Sequence, residues 1–166
     1  MNESDVPSDP PREVSEAFTS AAITALQELT QFDVLFEELS AIAVFGMTDV
    51  VAATVRLVRR VPGKMLLVLS EESASRLAAR YLPKETLLTE EIVDDVTGEI
   101  ANVIAGQAKT ILKGTPYHFK MSTPLVARVA RYSQLQGITE ATLVASLTFE
   151  AGRLLLFVDL SPCPGA

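Results

Sequence analysis

Cysteine, histidine and tryptophan are nearly absent from this sequence, which has one cysteine, one histidine and no tryptophan. One cysteine cannot close an internal disulfide, in keeping with a reducing compartment, and one Cys with one His cannot supply the usual ligand set of a zinc site. The cysteine, Cys163, lies in the tail SPCPGA and reads as a bland free thiol. The histidine, His118, lies in a strand-like segment with no serine or cysteine motif around it, so nucleophile–base hydrolysis lacks its parts. Aromatic residues make up only 6% of the chain, too few for a base-stacking platform. Basic residues are also in deficit, 14 against 21 acidic ones, and a net charge of −7 argues against a grip on nucleic acid. The single basic cluster, Arg56, Arg59 and Arg60, reads as the exposed end of a strand or loop. No glycine-rich phosphate loop or dinucleotide fingerprint is present. No apolar run reaches the roughly 18–20 residues of a membrane span, and the N-terminus is acidic and proline-rich, unlike a signal peptide. These absences predict a cytoplasmic domain.

What is present is apolar and periodic. At 166 residues and 48% hydrophobic, the chain can bury a core and suits one domain. Residues 1–12 carry three prolines among acidic and polar residues and read as a flexible leader; residues 13–160 read as the domain, and 161–166 as a C-terminal tail. From Glu13 to about Phe32, Val14, Phe18, Ala21, Ala22, Ala25, Leu26 and Leu29 recur at helical spacing. One strand is expected over Val34 to Phe45, with a break allowed near Glu37-Glu38, a second over Val51 to Arg59, and a third over Lys64 to Leu69 after the Pro62-Gly63 turn. Together these three suggest a meander. Ser70 then starts a short helix that ends at Pro83. The last third is strand-like over Tyr117 to Ser122, Pro124 to Val129, Ala141 to Glu150 and Arg153 to Leu160, the final pair joined as a hairpin at Gly152, and Tyr132 to Thr139 reads as a loop. The order predicts an α+β domain, helices packed on an antiparallel sheet of about six strands.

The most informative stretch is Thr89 to Gly114, TEEIVDDVTGEIANVIAGQAKTILKG. At 3.6 residues per turn it places Val93, Val96, Ile100, Val103, Ile104 and Ile111 on one apolar arc. Asp95, Glu99, Asn102 and Gly106 fall on another face at i, i+4, i+7 and i+11. Gly98 and Gly106 each cost a helix interior about 0.5–1 kcal/mol relative to alanine, which suggests close approach of another backbone or another protein. The ladder Glu91, Asp95 and Glu99 could ligate a hard cation, but no second helix offers matching carboxylates, so a solvated acidic face is the better reading. Spacing alone leaves Glu99 and Asn102 open between a catalytic pair and an ordinary polar face.

The segment EEIVDDVTGEIANVIAGQAKTIL resembles the signature helix of the CheX-type chemotaxis phosphatases of the CheC/CheX/FliY family. That pattern is Asp or Ser, three residues, Glu, two residues, Asn, and a proline about two dozen residues on. Here these are Asp95, Glu99 and Asn102, with Pro124 standing 22 positions after Asn102. The resemblance implies long helices on an antiparallel sheet and a phosphatase acting on the phospho-aspartate of a CheY-like response regulator. It implies that Asn102 orients the attacking water and that Glu99 pairs with the regulator's lysine, with Asp95, Gly98, Gly106 and Lys109 around them against the partner. No cofactor of its own is implied, since Mg²⁺ belongs to the regulator. A homodimer with one site per chain is implied as well, because the first helix offers only Glu28-Leu29-Thr30-Gln31 where double-site members repeat Glu-x-x-Asn. The alternative reading is a non-catalytic receiver-binding or scaffold module of the same fold.

Overall fold

The computed structural model describes residues 11–37, 47–135, 142–150 and 152–163. Helix α1 (Arg12–Thr30) turns a continuous stripe of Val14, Phe18, Ala22, Ala25 and Leu26 inward, which is the helical period expected. It stops at Gln31, which takes the left-handed conformation at φ 58° and closes the last turn through its N–H to the Gln27 carbonyl. Strand β1 (Leu35–Glu37) follows, then β2 (Thr48–Val58) and β3 (Gly63–Ser70). Helix α2 (Glu71–Tyr81) starts where the Ser70 hydroxyl accepts from the Ser73 N–H, the start signal seen in the sequence. Helix α3 (Glu90–Ile111) is capped in the same way by Thr89, whose hydroxyl accepts from Ile92 N–H at 3.2 Å. The remainder is β4 (Lys120–Met121), β5 (Leu125–Arg131), one 3-10 turn (Tyr132–Gln134), β6 (Thr142–Phe149) and β7 (Gly152–Asp159).

The strands form one seven-stranded antiparallel sheet in the order β1-β6-β7-β3-β2, with β4 and β5 both lying along the outer edge of β2. The hairpins β2–β3 and β6–β7 pair as expected. Among the described residues the three-strand meander does not form. β1 pairs with β6, Leu35 opposite Thr148, at the far edge from β2. Strands adjacent in sequence pair only about two-thirds of the time, and a long connection lets the chain change edges. Residues 38–45 of the strand expected over Val34 to Phe45 lie outside the described residues, as do residues 136–139 of the loop expected over Tyr132 to Thr139. Tyr117 to Ser122 yields only two strand residues, and the run separates from β5 at Ser122–Pro124. There the Ser122 hydroxyl accepts from Arg56 N–H and Pro124 has no N–H to give to β2.

The helices cover one face of the sheet. Val51, Val55, Leu67, Leu69, Leu154 and Leu156 meet Phe18, Leu77, Ile100 and Ile104 there, each fully buried side chain contributing about 1.5–3 kcal/mol. Phe18 stacks on Phe119 with centroids 5.9 Å apart, tying α1 to the approach to β4. The other face of the same strands carries Val50, Leu66, Val68, Leu155 and Phe157 under Tyr132 and Leu135. Because the central strands are apolar on both faces, β3 reads in sequence as a continuous run with no alternation. Gly63 is required by the sheet itself: a Cβ there would lie 2.3 Å from the Asp159 carbonyl oxygen on the neighbouring strand. No helix among the described residues is long and apolar enough to cross a membrane.

Candidate functional site

Helix α3 has two faces of different composition. Val93, Val96, Ile100, Ala101, Ile104, Ala105 and Ala108 are buried against the sheet and α1. Val103 is only partly buried, and Ile111, expected on the core arc, is 51% exposed in the last turn, where Leu112 takes the buried position instead. Thr97 is buried on the same side and is satisfied by donating to the Val93 carbonyl at 2.8 Å. Asp95, Glu99 and Asn102 are all exposed, one helical turn apart along the opposite side. None of the three makes a side-chain hydrogen bond or ion pair with another described residue. Gly106, half-buried, continues the row with open space above it, and half-buried Lys109 follows in the last turn.

Gly98 departs from its expected role. It is buried, and the room left by its missing side chain is filled from within the chain: a Cβ there would meet Val126 Cγ2 at 3.4 Å and Pro124 Cβ at 3.8 Å. Gly98 thus seats α3 on β5, buried within the chain. The proline singled out in the sequence lies beside the helix, one turn from Asn102.

Polar contacts hold α3 on both flanks. Arg128 of β5 donates through Nε to Asp94 Oδ1 at 2.8 Å and through Nη1 to Glu71 Oε1 of α2 at 3.0 Å. Partial burial lowers the affinity of Arg128 for its proton, but Asp94, Glu71 and Glu90 outweigh that effect and hold the guanidinium above its ordinary pKa. On the other flank, Gln107 Nε2 reaches Glu28 of α1 at 3.5 Å. No sequence pattern singles out Arg128, since its pairing with Asp94 depends on how β5 lies across α3.

The remaining candidates do not join this face. The acidic ladder Glu91, Asp95 and Glu99 runs along the helix without converging, and no group of three metal-ligating side chains occurs among the described residues. His118 is exposed. Arg59 donates to the Ser161 carbonyl, and the Cys163 N–H reaches the Pro116 carbonyl, so residues 161–163 are held beside the end of β2. The Cys163 thiol is drawn below its ordinary pKa by a backbone hydrogen bond with Val61 and by the charges of Arg59 and Arg60. A cavity of about 610 Å³ lies elsewhere, between the outer side of α1 and Phe36 and Val144. Asn102 and Glu99 stand exposed on α3, outside this cavity.

Comparison with known proteins agrees with this geometry. The family model described as chemotaxis phosphatase CheX matches residues 51–144. The fold is similar to that of the chemotaxis protein CheX from Vibrio vulnificus, at TM-score 0.72 and 19% identity, covering 93% of this chain and 100% of that one. It is also similar to CheX from Desulfovibrio desulfuricans, at TM-score 0.67 and 16% identity over 90% of this chain and 99% of that one. A third similar structure is CheX of Borrelia burgdorferi in complex with CheY, BeF3 and Mg²⁺, at TM-score 0.65 and 17% identity over 87% of this chain and 96% of that one. No curated protein matches.

Proposed function

Since the chain belongs to the chemotaxis phosphatase CheX family, we propose that it dephosphorylates the phospho-aspartate of a CheY-like response regulator. The observation that carries this reading is the exposed, unengaged pair Glu99 and Asn102, one turn apart on a helix held on both flanks. A carboxamide presented in this way can accept from a water molecule through its oxygen and donate through its NH₂ group, which fixes the water without taking its proton. Water then attacks phosphorus in line as the bond to the aspartate oxygen breaks. Little else is required of the phosphatase, because the receiver brings Mg²⁺ and the groups that neutralise the phosphoryl oxygens. Glu99 supplies a fixed carboxylate to pair with a lysine of the receiver, which sets orientation on docking. Asp95, Gly106 and Lys109 line the same face and complete the docking surface.

The test is phosphate release from a phosphorylated receiver with and without this protein. Acceleration that saturates with receiver concentration is expected. Binding without acceleration would establish the scaffold reading in its place. We also propose a homodimer with one site per chain. β1, with Leu35 and Phe36 exposed and no strand on its outer side among the described residues, offers an open sheet edge. Sedimentation as a monomer at micromolar concentration would contradict the dimer.

A further inference from the structure

Asp94, Gly98 and Asn102 stand on one i, i+4 row of α3. Each step along such a row rises about 6 Å and turns about 40°. The lower two members lie on β5 in order, Asp94 against Arg128 and Gly98 against Val126 and Pro124. Two strand residues span about 6.7 Å, so each helical step matches one step of two along the strand. The 40° turn at each step carries the row into the contact at Gly98 and then out of it. Asp94 is partly covered, Gly98 is buried, and Asn102, one turn further along the helix, is exposed. The position of Asn102 is therefore set by how far α3 slides along β5.

Apolar packing of Val93, Val96, Ile100 and Ile104 holds α3 on the sheet, and the seat of Gly98 on Val126 and Pro124 limits how far it can slide. The directional contact is the fork of Arg128. Its guanidinium reaches Asp94 on α3 and Glu71 on α2 together, and its Nη2 points to the Glu90 carbonyl at 3.4 Å in the first turn of α3. The Arg128 side chain is 20% exposed, against 31% for Asp94 and 43% for Glu71, so water can solvate both carboxylates if the arginine is removed. The fork thus adds more to register than to stability.

Resting on the phosphatase reading above, we propose that Arg128 is a positioning residue: its fork to Asp94 and Glu71 sets the register of α3 on β5 and so where the Asn102 carboxamide is presented. A displacement of about 1 Å at such a group lowers a rate by roughly a hundredfold, so a partial slip suffices for a clear effect.

The experiment measures kcat and KM for phosphate release from a phosphorylated receiver, with melting temperature as a control on folding. Arg128→Met is expected to lower kcat about tenfold with KM within twofold of wild type. Asp94→Asn, which loosens the same contact from the helix side, should do likewise. Arg128→Lys restores charge but cannot span both carboxylates in one plane, and should recover stability more than kcat. In an Asn102→Ala background, Arg128→Met should have no further effect on rate. Wild-type kcat in a folded Arg128→Met protein, or an equal loss in the Asn102→Ala background, would overturn the proposal alone. A wild-type protein that binds the receiver without accelerating phosphate release would overturn both this proposal and the reading beneath it.

Discussion

Helices α1 and α3 lie against each other, and each carries a glutamate followed three residues later by an amide: Glu28 and Gln31 on one, Glu99 and Asn102 on the other. Their geometry differs at every point that matters for chemistry. Asn102 sits nine residues before its helix ends at Ile111, so its backbone is fixed on both sides. Gln31 lies one residue past the end of α1, in the left-handed conformation that closes the helix, and leaves the face on which Glu28 stands. Glu28 is already engaged by Gln107, whereas Glu99 is free. The same spacing thus leaves both side chains presented together only where the helix continues through it.

The comparison can be broken by moving its features from one helix to the other. The largest effect is expected from Asn102→Gln, which gives α3 the longer amide of α1 and displaces the carboxamide by one methylene. Phosphate release should fall about a hundredfold with folding unchanged, as measured by single-turnover kinetics. Next, Glu99→Ala should weaken receiver binding by at least about tenfold, read by titration, because it leaves a partner lysine unpaired. Gly106→Ala has open space around it and should raise thermal stability by about 0.5–1 kcal/mol through helix propensity. If a partner uses that space, the same variant binds the receiver less tightly, so stability and docking move in opposite directions. The smallest effect belongs to Glu28→Ala combined with Gln31→Ala, whose phosphate release should remain within about twofold of wild type.

Much of this was legible in the sequence, and the limits are physical. The helices are recoverable because their apolar spacing and their caps, Ser70 and Thr89, are local signals. The hairpins β2–β3 and β6–β7 are local too. The pairing of β1 with β6 joins residues more than a hundred positions apart, which no local pattern encodes. Helical spacing placed Asp95, Glu99 and Asn102 on one face, and all three are exposed; the roles proposed for them come from the resemblance to the signature helix. Gly98 shows the limit of that approach: a glycine beside a functional pair in sequence faces inward, toward Pro124 and Val126, because one residue along a helix is a rotation of about 100°.

The central claim is that the Asn102 carboxamide speeds hydrolysis of a receiver phospho-aspartate without being needed for docking. Its most direct test is single-turnover phosphate release with Asn102→Ala at concentrations that saturate the receiver, alongside the dissociation constant for the same receiver. The expected result is release at the receiver's own unassisted rate with binding within about threefold of wild type, the split expected of an interaction made only in the transition state. Release at the wild-type rate from the saturated variant would contradict the account.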